Sequence, residues 1–196
     1  GDLAMADGTF ISIDDLPDDQ IANVRGIVFW TESEEGNATL ASDVIMKAEF
    51  PECTHGLIVS LKDVSKSDWW QLLDGNIAIA TWQNNTSPYN GSNYKSIASP
   101  KNTPTAPINY ILGYQNTKIL KAYNASLASG SDNTVLPVSL LETFSTDNPA
   151  PANTTGWFIP SVKELTLLYG VDKDNVYTNG FGNSTKTEMN TILTSL

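Results

Sequence analysis

"GWFIPSVKELTLLYG", residues 156–170, is the most organised stretch of the chain, and its reading decides the fold. Trp157 and Ile159 of an extended run point one way and Phe158 the other. Pro160 cannot donate a ladder hydrogen bond, so it ends the run. Ser161 and Glu164 have the spacing of a capping box, in which each residue satisfies a free N–H at a helix start. Val162, Leu165, Leu168 and Tyr169 then form the expected buried stripe, and Gly170 suits the stop. No nucleophile sits between glycines, so the stretch reads as a folding corner rather than a catalytic elbow. The same device recurs at Thr185 and Glu188, opening a terminal helix with Met189, Ile192, Leu193 and Leu196 at helical spacing.

Upstream, the Asp7–Gly8 turn leads into a short alternating strand with Phe10, Ile11 and Ile13. Ile27, Val28, Phe29 and Trp30 are apolar on both faces, which predicts a central strand. A short helix begins at Ser42 or Asp43 and stops before Pro51. Leu57, Val59 and Leu61 mark one face of the next strand. Residues 65–76 read as a loop or helical turn. From Trp82 to Pro107 the chain is rich in Asn, Ser, Pro, Thr and Gly with little periodicity, so a long loop excursion is expected, the kind of segment that often carries function. A helix over 116–130 presents Ile119, Leu120, Tyr123 and Leu127. A second short helix falls in 134–145, and 146–156 is a proline-spaced linker feeding the strand at 157. No repeat of 20–50 residues is visible.

Composition narrows the function. The 196 residues suit one domain, 1–196, with a sizeable core that draws on five Trp, seven Tyr and six Phe. Eleven basic residues are scattered among twenty-two acidic ones, for a net charge of −11. A phosphate-binding surface needs clustered Lys and Arg, so neither nucleic acid nor an anionic membrane is an expected partner. One Cys permits no intrachain disulfide and leans towards a bacterial source. No window has the length of a membrane span, and no signal peptide is visible. The leading Gly1 looks like the scar of a domain excised from a longer protein.

Candidate chemistry is sparse. Cys53 and His55 could form a nucleophile–base pair, but an activated pair normally comes from different elements, and a free structural Cys is the expected reading. The Asp cluster of 14–19 and the Glu cluster of 32–35 match no EF-hand spacing and read as solvated turns. No catalytic residue, metal ligand or cofactor is expected. The aromatic residues Trp69, Trp70, Trp82, Tyr89 and Tyr94 flank the long loop, with Asn84, Asn85, Asn90 and Asn93 beside them. Aromatic faces with amide side chains suit sugar recognition, while core packing of Trp and turn-forming Asn is the competing account. Trp69, Trp70, Trp82, Tyr89, Asn90 and Asn93 are the candidate ligand-binding residues.

The combined pattern "ADGTF…GIVFW…HGLIVSLKD", "YNGSNYKSI" and "GWFIPSVKELTLLY" resembles the Fibrobacter succinogenes major paralogous domain, related to the C-terminal domain of Legionella collagen-like protein. The family pattern W-[YF]-[LI]-P-[SA]-x-x-E-L is matched throughout 157–165, and the version here is most similar to copies on surface and fimbria-associated lipoproteins of Bacteroidetes. The resemblance implies an α+β, C-type-lectin-like fold: a small antiparallel sheet, two or three helices and a long irregular loop region. It implies no enzyme activity and an extracellular or outer-membrane location. The partners it implies are a glycan, a host or neighbouring protein, or fimbrial subunits, in adhesion or as a tip or stalk domain. The calcium-and-sugar tripeptides of true C-type lectins are absent. The less favoured alternative is an enzyme, either a hydrolase using the acidic clusters or a formylglycine-generating relative, the latter disfavoured because its chemistry needs a cysteine pair. Family members usually continue past the second helix into further strands, so the sheet is expected to lack its last strands, with an edge open to strand addition.

Overall fold

The computed structural model describes residues 1–31, 43–53, 56–64, 75–97, 110–168 and 184–196. Within them, four antiparallel strands run in the order β2-β1-β3-β4: β1 (Leu3–Met5), β2 (Phe10–Ile11), β3 (Val24–Thr31) and β4 (Gly56–Ser60). Six helices accompany them: α1 (Val44–Glu49), α2 (Gly75–Asn85), α3 (Gly113–Ser126), α4 (Leu136–Asp147), α5 (Val162–Leu168) and α6 (Ser184–Ser195). The architecture is α+β, with more helices than the family resemblance implies, α2 being the one the sequence pattern did not indicate.

The doubly apolar run at 27–30 does form the centre of the sheet, paired with β1 on one side and β4 on the other. Its alternation breaks at a bulge. Val28 pairs with Ile58 but Trp30 pairs with Leu57, so Phe29 is an extra residue on β3. A bulge bends its strand and re-aims the side chains beyond it. Ile27, which precedes the bulge, joins a core with Leu3, Met5, Val24 and the α6 residues Met189 and Ile192. Trp30 joins a second one with Met46, Leu57, Ile111 and Leu167. A third core lies between helices, where Ile79 of α2 meets Ile119, Leu120 and Tyr123 of α3, and Val135 and Val138 of the α4 region.

Several expectations are corrected. Trp82 does not open a loop: it lies in α2, and the irregular segment starts at Thr86. Ile13 leaves the strand for a 3-10 turn, whose start is capped by Ser12. The segment 157–160 joins no strand ladder. Instead Ile159 donates its N–H to Thr117 Oγ1 (2.9 Å), and the Trp157 indole donates to the Asn148 carbonyl (2.8 Å). The α5 stripe holds only in part: Leu168 packs against the core, but Val162 and Leu165 are 44% and 49% exposed, whereas Lys163, Glu164 and Leu167 are buried. On α6, Leu193 likewise faces out. Tyr169, Gly170 and the side chains of Thr185 and Glu188 lie outside the described residues.

Candidate functional site

The first turn of α3 organises the region around the candidate loop. A helix start leaves free backbone N–H groups, and α3 has no side-chain cap of its own at Leu112. Two buried carboxylates from distant parts of the chain supply the acceptors. Glu164 takes the Gly113 N–H on Oε1 (3.2 Å) and the Ser161 N–H on Oε2 (2.5 Å). Asp43 takes the Met46 N–H of α1 on Oδ1 (2.8 Å) and the Gln115 N–H on Oδ2 (2.9 Å). Each acid therefore caps its own short helix and α3 at once. Gly113 is required here, because a Cβ would stand 2.2 Å from Glu164 Oε2 and 2.8 Å from the Ile159 carbonyl.

This explains the outward Val162 and Leu165 of α5. The Ser161–Glu164 capping box forms as its spacing predicts, with the Glu164 N–H returned to Ser161 Oγ at 3.3 Å. Reaching α3 turns the Glu164 side of the helix inward, and Val162 and Leu165 go outward. Burial pushes the Glu164 carboxyl up to about 7, outweighing its hydrogen bonds from Ser161 and Gly113, and neighbouring Asp43 pushes the same way. Asp43 is raised too, again by burial first. Both are committed to backbone amides and closed to solvent, which unfits them for proton transfer to a substrate.

A second, uncharged network begins two residues along α3. Gln115 Oε1 accepts the Lys95 N–H (2.8 Å), while its Nε2 donates to the Lys95 carbonyl (3.1 Å). From α2, Gln83 donates to the carbonyls of Tyr89 (3.2 Å) and Lys95 (3.0 Å) and accepts the Ile97 N–H (2.9 Å). Both glutamines are buried. A primary amide offers the same donor–acceptor pair as a peptide unit, so these side chains stand in for neighbouring strands and pin 86–97 as an ordered turn structure. Neither signal was visible in sequence, because a polar Gln within a helix reads as surface.

The candidate residues separate accordingly. Trp82 is wedged between Tyr89 (ring centroids 5.3 Å apart) and Tyr123 (5.8 Å), so it serves chiefly as a core anchor. Tyr89 packs against Tyr94 (5.3 Å) while remaining partly exposed. Asn90 and Asn93 lie on the same pinned turn and are exposed. Trp69, Trp70 and His55 lie outside the described residues. Cys53 is half-buried, donates to the Asn153 carbonyl at 3.3 Å, and has its thiol pKa raised by burial and by Glu52. That is the opposite of an activated nucleophile. No helix among the described residues is long and apolar enough to cross a membrane.

Fold and site together define a mixed α+β module in which two helices hold a polar-tipped aromatic turn by side-chain hydrogen bonds. In sequence the chain is similar to "Putative fimbrium tip subunit Fim1C" of Bacteroides ovatus, with 28% identity over 189 residues, covering 89% of this chain and 33% of the relative. In structure it is similar to a fimbrial protein from Bacteroides ovatus solved by crystallography, with a TM-score of 0.67 and 26% identity, covering 100% of this chain and 38% of that one. The chain thus spans between 33% and 38% of the length of these proteins. No family model matches it.

Proposed function

We propose that the chain is a non-enzymatic module of a Bacteroidetes fimbria-associated surface protein, displayed outside the cell for adhesion. The observation that carries this reading is the similarity, over 89% of the chain in sequence and 100% in structure, to fimbrial proteins of Bacteroides ovatus. The reading keeps the C-type-lectin-like relation suggested by the signature at 157–165, and treats 1–196 as one unit. Its contact surface is the turn bearing Tyr89, Asn90 and Asn93, with Trp82 behind it as the anchor, and its ligand class is a glycan. An aromatic face flanked by exposed amides supports that class, since sugars stack their C–H faces on rings and hydrogen-bond through hydroxyls.

A second reading, that the module binds only neighbouring fimbrial subunits, is favoured by its similarity to a fimbrium tip subunit. One experiment separates the two. The purified chain is applied to a glycan array and, in parallel, mixed with the major and minor subunits of the same fimbria in size-exclusion chromatography. A defined sugar that no longer binds an Asn90→Ala/Asn93→Ala variant supports the first. A stable subunit complex with a blank array supports the second. A blank in both arms sinks the proposal.

A further inference from the structure

We infer that the outer edge of β2 carries a separate protein-interaction surface, which receives an arginine-bearing segment of a partner polypeptide. It shares no residue with the aromatic turn. A shallow depression of about 440 Å³ opens beside β2, lined by the apolar Met5, Phe10, Ile11 and Pro17 and by polar residues that include Asp7 and Gln20. Phe10 is the most exposed large apolar side chain among the described residues, at 51%. β2 ends the described sheet, and the register shows which way its backbone faces. Met5 donates to the Thr9 carbonyl and Ala4 lies opposite Phe10, so alternation of the antiparallel ladder turns the Phe10 N–H and C=O away from β1.

Charge selects the occupant. Residues 1–24 contain six Asp (2, 7, 14, 15, 18 and 19) and no Lys, Arg or His. Asp18 and Asp19 lie between the lining residues Pro17 and Gln20, and both are exposed. Asp7 uses Oδ1 to accept the N–H and hydroxyl of Thr9 (2.9 and 2.7 Å), which lowers its pKa and keeps it ionised, and Oδ2 takes no part in that turn. The nearest cation in sequence, Arg25, donates to the Ala22 carbonyl at 2.9 Å. An exposed ring beside a carboxylate and an outward carbonyl suits a guanidinium, which stacks on aromatic faces and donates in a planar fork. A second copy of this chain is disfavoured by the net charge of −11.

The test is an NMR titration of the full chain with acetyl-Gly-Arg-Gly-Arg-Gly-amide and its glutamate counterpart. The arginine peptide should give saturable amide shifts confined to residues 7–11 and 17–23, weakened severalfold by raising salt from about 20 to about 300 mM, and the glutamate peptide none. Phe10→Ser and, separately, Asp18→Asn/Asp19→Asn should each weaken binding by roughly threefold or more, given the scale of exposed cation–π and ion-pair contacts. Both variants change exposed side chains, and unaltered spectra elsewhere would show that they fold. Absent or scattered shifts, equal response to both peptides, undiminished binding by both variants, or a dimer of the free chain abolished by Phe10→Ser would overturn the inference.

Discussion

Two networks diverge from the first turn of α3, and they differ in kind. On one side Gly113 and Gln115 give their N–H groups to the buried acids Glu164 and Asp43, locking α3 to α5 and α1. On the other, the neutral amides of Gln115 and Gln83 hold the turn at 86–97. The charged clasp fixes the fold and is sensitive to protons. The amide clasp fixes the candidate contact surface and carries no charge to titrate. A surface held this way keeps its shape across pH, while the strength of the framework beneath it changes.

The largest expected effect comes from breaking the charged side. Glu164→Ala strands the Ser161 and Gly113 donors in a dry interior and leaves a cavity, costing about 3–4 kcal/mol in urea unfolding. Gly113→Ala should cost about 2–3 kcal/mol, because its Cβ meets both a carboxylate oxygen and the Ile159 carbonyl. An unchanged midpoint for either would mean that α3 is capped in some other way.

Next in size is the pH dependence. The folded pKa of Glu164, about 7, lies above its ordinary value of 4.5, so the folded state binds the extra proton. Its contribution is fully present below about 4.5 and is lost as pH rises through about 7. Asp43, also raised, acts in the same direction. Thermal unfolding should therefore show stability falling between pH 5 and 8, and Glu164→Gln should flatten that slope even though it loses one N–H bond. A slope that survives in the glutamine variant would assign it to other groups.

On the neutral side, Gln83→Leu should cost about 1–2 kcal/mol. Hydrogen exchange should speed up at Ile97, while Gly113 and Ser161 stay protected. If protection falls equally in both places, the two networks are one cooperative unit rather than two.

Legibility in the sequence follows the same divide. The Ser161–Glu164 cap was readable because both partners lie within one turn. The start of α3 was not, since its acceptors come from 51 and 72 residues away. That long-range duty also turned Val162 and Leu165 of the expected α5 stripe outward. The central strand was legible from its doubly apolar run, but the Phe29 bulge was not, because a bulge depends on the partner strand. Among the ligand candidates, sequence grouped Trp82 with Tyr89, Asn90 and Asn93, and the fold sorts the anchor from the exposed tip. Gln83 and Gln115, which hold that tip, gave no local signal at all.

The smallest expected change in stability accompanies the most direct test of the central claim. Asn90→Ala/Asn93→Ala alters two exposed side chains, so unfolding should shift by no more than about 0.5 kcal/mol per site. Binding to the glycan that the unaltered chain selects on an array, measured by calorimetry, should fall at least about tenfold. Binding that persists at full strength in the stable double variant would contradict the account and take the contact surface away from this turn.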